Sequence, residues 1–218
     1  TFEANADLFR SDAILAHYVE DARRFLDATI TTEARAAIRD RPLVFEGAQG
    51  LLLDQDRGCF PHVTRSNTGL RNVLALADEL GLERLDVTYV TRAYLTRHGA
   101  GPLPRERPGK PYPGIVDTTN VPNEHQGTLR FAWLDLDLLG RAIHEDLSDA
   151  AAYPALTVNA GLAITCLDQL GGEATRYHRG GIPHRSSLDT FVAAATEAVG
   201  LDRPLLGFGP SGELMPCG

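Results

Sequence analysis

The chain is short of cationic charge, of cysteine pairs and of long apolar runs, and each shortage excludes something. Against 29 Asp and Glu stand only 21 Lys and Arg, a formal charge of -8. Broad nucleic-acid and anionic membrane surfaces need a cationic excess to replace counterions, so neither is expected as a partner. No apolar run approaches the roughly 20 residues that cross a bilayer, and Thr1 to Arg10 carries no signal-peptide pattern. The expectation is a soluble, cytoplasmic protein with no membrane contact. The three cysteines, Cys59, Cys166 and Cys217, are widely spaced, with no C-x-x-C pair and no metal-ligand spacing. Reduced thiols follow, with Cys59 and Cys166 as buried or half-buried side chains, and no metal ligand is expected. Thr1 is not an initiator and Met215 is the sole methionine, which leads to the expectation of a piece of a longer reading frame.

What is present suits one core: 218 residues, 43% of them hydrophobic, predict a single α/β domain over 1–218. Apolar residues three and four apart predict a helix over Ser11–Ile30, with Ser11 as its cap. A shorter helix is expected over Thr31–Asp40. Leu43, Val44 and Phe45 read as a buried strand after Pro42. A helix begins at Asn67 or Thr68, with Leu70, Val73, Leu74, Leu76, Ala77 and Leu80 inward, and ends at Gly81. Val87 to Tyr94 reads as one buried extended segment and Arg97 to Arg107 as a loop. Leu134–Leu147 has helical spacing, Leu156–Leu167 supplies one or two strands, and Gly171–His184 reads as a polar surface excursion. A helix over Ser186–Val199, a strand over Pro204–Phe208 and a turn at Gly209–Gly212 complete the chain. Strands alternating with helices predict a mainly parallel sheet flanked by helices.

The chemistry sits in a few dense stretches. Phe45-Glu46-Gly47-Ala48-Gln49-Gly50 leads into Leu52-Leu53-Asp54-Gln55-Asp56-Arg57-Gly58 and then Val63-Thr64-Arg65-Ser66-Asn67-Thr68. Small residues after a strand let backbone amides approach an anion, and Gln49 offers donor and acceptor together. Arg92 to Pro102, Asn123-Glu124, Trp133-Leu134-Asp135, Thr165-Cys166-Leu167-Asp168 and Gly207-Phe208-Gly209-Pro210 follow in order. Together these blocks resemble the adenylosuccinate synthetases, whose own versions include K-A-Y-x-T-R-V-G-x-G-P, T-K-L-D and S-T-G-P.

The resemblance implies an adenylosuccinate synthetase-like fold, related to the P-loop NTPases. It implies a GTP-dependent carbon-nitrogen ligase that joins a purine nucleotide, inosine monophosphate (IMP), to aspartate on the way to adenosine monophosphate (AMP). Positioning and charge stabilisation supply most of such catalysis. Gln49 would sit at the base and its activated oxygen as the catalytic contact, and Thr64 would reach the nucleotide phosphate. His98 stands at the family's valine position, where it either reads a different purine edge or packs. Thr128 belongs to the aspartate loop. Arg130 either clamps carboxylates or phosphate, as a guanidinium fork suits both, or is a plain loop arginine. Asp168 would accept from guanine and so select GTP, or cap a turn; Cys166, Leu167, Gly207, Phe208 and Gly209 would line the same base. Asp54 and Asp56 are read as braces of the loop after Gln49 rather than as acid-base or magnesium carboxylates.

Three departures shape the expectation. The aspartate loop, His125 to Ala132, is shorter than the family's and keeps one arginine instead of several, resembling the compact archaeal and phage branch with its 2-aminoadenylosuccinate synthetases acting on (d)GMP. Cys166 replaces the family's lysine, which leaves GTP or ATP open. The G-D-E-G-K-G loop that wraps the triphosphate and supplies magnesium ligands is absent from the chain. The expectations are therefore an amino-terminally incomplete ligase, inactive alone and homodimeric when whole, or a non-catalytic purine-binding module.

Overall fold

The first apolar periodicity folds as its spacing predicts. The computed structural model describes residues 8, 10–29, 36, 41–117, 119–172, 174–202 and 204–209, and the backbone of 214–216. In it α1 spans Asp12–Ala28, and Ser11 caps it, its hydroxyl oxygen accepting from the Ile14 N–H at 3.4 Å. The chain divides into two compact units, Thr1–Val44 and Phe45–Gly218, and no residue of α1 is buried. Apart from Ala36, the helix expected over Thr31–Asp40 lies outside the described residues. The strand expected at Leu43–Phe45 does not form. Val44 is 91% exposed and the run stays outside both sheets. Apolar composition alone cannot make a strand, because a buried extended backbone needs a neighbour for its N–H and C=O groups.

The second unit alternates helices and strands. Helix α2 spans Arg71–Leu80 and closes at Gly81, whose φ of 71° is the left-handed conformation of a helix end. Leu70, Leu74 and Ala77 are buried, while Leu76, expected inside, is exposed. Strand β1, Arg84–Arg92, is followed at once by β2, Tyr94–Arg97, where one continuous segment was expected. Ala93 turns the chain from one sheet into the other; it is fully buried, and its N–H donates to the Thr165 carbonyl at 3.0 Å. Strand β3, Arg130–Asp135, leads into α3, Leu136–Leu147, capped by Asp135. Strand β4 is Thr157–Thr165, β5 is Thr175–Arg179, β6 is Ile182–Ser186 and α4 is Leu188–Val199, capped by Ser187. Strands β7, Leu205–Gly207, and β8, Leu214–Pro216, close the first sheet; the turn expected between them lies outside the described residues beyond Gly209.

The first sheet has the order β1-β4-β7-β8 and the second β2-β3-β5-β6. In the first, β1, β4 and β7 run parallel, so their loops leave from one end. In the second, β3 and β5 are parallel and the outer pairs antiparallel. The excursion expected over Gly171–His184 is thus a structural hairpin, with Thr175, Tyr177 and His178 buried. Gly180 and Gly181, at φ 60° and 78°, form the two-residue turn whose twist matches the strands. Helices α3 and α4 meet where Gly140 lies under Ala198; a Cβ there would stand 2.3 Å from the Ala198 carbonyl oxygen. Leu134, Leu136, Ile143, Leu162, Ile164 and Phe191 make the centre of the core, each worth about 1.5–3 kcal/mol of burial. Among the described residues no helix is long and apolar enough to cross a membrane.

Candidate functional site

The site begins in the run after Phe45. Gln49 is exposed, with φ at +70°, a region that costs a residue with a side chain roughly 1–2 kcal/mol. Such strain persists only where the surroundings impose it. The Gly50 carbonyl accepts from the Leu53 N–H at 2.9 Å and from the Thr68 hydroxyl at 3.0 Å. Asp54, 3% exposed, closes the loop. One of its oxygens accepts from the Asp56 N–H at 2.9 Å and the Arg57 N–H at 3.3 Å, the other from the Thr68 N–H at 2.7 Å. Burial pushes its carboxyl up, but the backbone donors at Asp56, Thr68 and Arg57 outweigh that and hold it below the ordinary range. Asp56 accepts from Asn67 at 2.8 Å and Arg71 at 2.5 Å. Both carboxylates brace, as the sequence suggests. Among the described residues no group of three or more His, Cys, Asp and Glu is arranged to hold a metal ion, so these residues do not fit magnesium. Cys59, expected inside, is exposed on this loop, since the turn carries it outward with Phe60 and Pro61.

A second buried carboxylate braces the same loop from α3. Asp146, 1% exposed, accepts from the Leu70 N–H at 3.0 Å, from the Tyr89 hydroxyl at 2.8 Å and from Arg57 at 2.8 Å. Arg57 also meets Asp149 at 2.6 Å. Burial works against the Arg57 charge, and Asp149 and Asp146 overcome it, so its pKa is raised. Asp146 fixes where α2 begins, which is Arg71 rather than Asn67 or Thr68. It also forbids a side chain at position 69, where a Cβ on Gly69 would stand 1.9 Å from its carboxylate. Sequence reading missed this hub. The signal was its spacing, three and four places after the buried Ile143 and Ala142, which puts a charge on the apolar face of α3.

Four expected substrate contacts are drawn together by hydrogen bonds between their loops. Thr64 is held through its N–H to the Leu53 carbonyl at 2.7 Å. Arg97 donates to the carbonyl of His62, two residues before Thr64, at 2.9 Å. Arg130 donates to the Gly99 and Gly101 carbonyls at 3.0 and 2.8 Å. His98 meets the Gly127 carbonyl, beside Thr128, at 3.3 Å. Arg130 also grips Glu106 with two nitrogens, which raises its own pKa and lowers that of Glu106. No hydrogen bond or ion pair among the described residues joins the Gln49 side chain or the Asp168 carboxylate to this group.

The base-binding candidates form a second group. Thr165 to Asp168 leave the end of β4, and Gly207 to Gly209 leave the end of β7, its parallel neighbour in the register Ala163 to Leu205 and Ile164 to Leu206. Loops at the carboxyl ends of adjacent parallel strands enclose the crevice where open α/β sheets take ligands. Cys166 is half-buried, with φ at +61°, and starts the short turn Leu167–Leu170. Leu167 is buried, whereas Asp168 and Phe208 are exposed. Tyr94, opening β2, donates to Gln169 at 2.6 Å; burial, then Cys166, pushes its hydroxyl up to about 12.

Similarity to known proteins agrees with this layout. The sequence profile of the adenylosuccinate synthetase family matches residues 2–168. An adenylosuccinate synthetase of Stenotrophomonas maltophilia is 39% identical over 60% of this chain and 28% of its own length. That of Desulfatibacillum aliphaticivorans is 34% identical over 77% of this chain and 37% of its own. The fully ligated adenylosuccinate synthetase of Plasmodium falciparum shares the fold at a TM-score of 0.52 and 20% identity, over 76% of this chain and 47% of that one. The chain therefore spans well under half the length of the curated relatives it matches. With its profile match running through both the braced loop after Gln49 and the Thr165–Asp168 turn, the chain belongs to the adenylosuccinate synthetase family.

Proposed function

We propose that 1–218 is one α/β domain, the carboxy-terminal part of a GTP-dependent ligase that joins IMP to aspartate in purine nucleotide synthesis. The observation that carries this reading is the hydrogen bonding that ties together the loops of Thr64, His98, Thr128 and Arg130, with β4 and β7 running parallel so that Thr165–Asp168 and Gly207–Gly209 leave one end of the sheet. Gln49 faces the base and its 6-oxygen, and Thr64 takes the monophosphate. Thr128 and Arg130 meet the aspartate, with Glu106 as the carboxylate that aspartate must displace. Asp168 accepts from the guanine of GTP, lined by Cys166, Leu167, Gly207, Phe208 and Gly209. Magnesium and the triphosphate wrap belong to the amino-terminal part, and the whole enzyme works as a homodimer.

His98 favours a second reading. With its Nε2–H donating to the Gly127 carbonyl, its Nδ1 is left as an acceptor, which suits the 2-amino group that (d)GMP carries and IMP lacks. Calorimetric titration of the chain with IMP, dGMP, GTP and ATP tests both. Saturable IMP binding weakened by Thr64→Val, and GTP binding weakened by Asp168→Ala, are expected. Preference for dGMP that disappears in His98→Val selects the second reading, and binding of no purine nucleotide overturns both. Restoring the upstream part and finding nucleotide binding without turnover would leave a non-catalytic module.

A further inference from the structure

The second sheet has one face covered by helices and one that is not explained by the purine site. Tyr177 of β5 packs against Phe191 of α4, ring centroids 5.5 Å apart. Alternation along a strand puts Arg176 and His178 on the opposite face. Trp133 precedes Leu134, which pairs with Tyr177, so Trp133 shares the face of Arg176. The Arg107 guanidinium lies 4.0 Å from the Trp133 ring centroid and that of Arg176 lies 5.5 Å from it. Across the hairpin, Arg185 stands directly opposite Arg176. Like charges in that position repel.

Three observations give this face a purpose. The protein carries a surplus of carboxylates, -8 in all, and Arg57, Arg105, Arg130 and Arg179 each hold at least one. Among the described residues Arg107, Arg176 and Arg185 hold none. The Trp133 indole N–H is buried and has no acceptor. His178, 7% exposed and with its ring 5.6 Å from Trp133, has a buried Nδ1 without a partner. Three guanidiniums without a carboxylate partner on the face that carries a buried unsatisfied donor suit an anion with several acceptor oxygens.

We propose that this face is an oxyanion site, separate from the purine site, that takes a phosphate group through Arg107, Arg176 and Arg185 with the Trp133 N–H as a further donor. A tetrahedral dianion offers acceptors to all three forks at once, where a carboxylate satisfies one fork well. Its source is either free phosphate or the phosphate of a nucleotide.

Trp133 is the only tryptophan of the chain, so its emission reports on this site. The test titrates the full chain with inorganic phosphate, cytidine monophosphate and acetate at constant ionic strength, which keeps general screening unchanged. A saturable emission change with phosphate is expected, unaltered in Thr64→Val. The midpoint should rise about tenfold or more in Arg176→Ala/Arg185→Ala, with far-ultraviolet circular dichroism confirming the fold, and less in Arg107→Lys. Tighter binding of cytidine monophosphate identifies a nucleotide phosphate as the source, and equal binding identifies free phosphate. The proposal is overturned if no saturable change occurs, if acetate matches phosphate, or if the folded double variant keeps the wild-type midpoint.

Discussion

The loops flanking the proposed purine site are held in opposite ways. The loop from Asp54 to Leu70 is fastened by two buried carboxylates whose oxygens are committed to backbone amides, a tyrosine and an arginine. The loops around Gly99 and Gly127 are fastened by Arg130, Glu106 and His98 at or near the surface. Buried charge-assisted bonds are costly to lose because their partners are stranded without water, whereas surface pairs exchange with solvent at little cost. The first arrangement suits a fixed wall and the second a wall that can trade partners with a ligand carboxylate.

The largest test of this contrast is Asp146→Ala, which strands Arg57, the Leu70 N–H and the Tyr89 hydroxyl. Urea denaturation should show a loss of about 3–5 kcal/mol, and a loss below 1 kcal/mol would erase the distinction between the loops. Gly69→Ala drives a methyl into the same carboxylate and should cost about 1–3 kcal/mol, measured the same way. Asp54→Asn should cost about 1–2 kcal/mol near neutral pH. Because the folded Asp54 carboxyl lies below its ordinary value, the stability it adds is complete above about pH 4 and is lost as pH falls through the folded value. The variant should show a flatter acid limb in its melting temperature. The smallest effect on stability belongs to Glu106→Gln, which should leave the melting temperature unchanged while tightening the binding of dicarboxylates near Arg130, read by calorimetry. A large loss of melting temperature there would make the two loops alike.

Local signals were legible where the cause is local. Ser11 and Gly81 end their helices by short-range hydrogen bonding, and Asp54 with Asp56 read as braces from their place in a turn-rich run. What could not be read depends on partners distant in the chain. Leu43–Phe45 looks like a strand but finds no ladder, and Gly171–His184 looks like a loop although Tyr177 meets Leu134 and Phe191. The hub at Asp146 joins residues 57, 70 and 89, a convergence that no window along the chain displays. Among the site candidates, Thr165–Asp168 and Gly207–Gly209 leave one end of the sheet because β4 and β7 run parallel, whereas the commitment of Arg130 to Glu106 is visible only in three dimensions.

The left-handed backbone at Gln49 sets folding against the proposed recognition role at one position. Glycine would sit there without strain, so Gln49→Gly should melt no lower than the parent protein while losing its amide. A screen that selects only for thermal robustness would accept that variant and discard the proposed contact with the base along with the side chain.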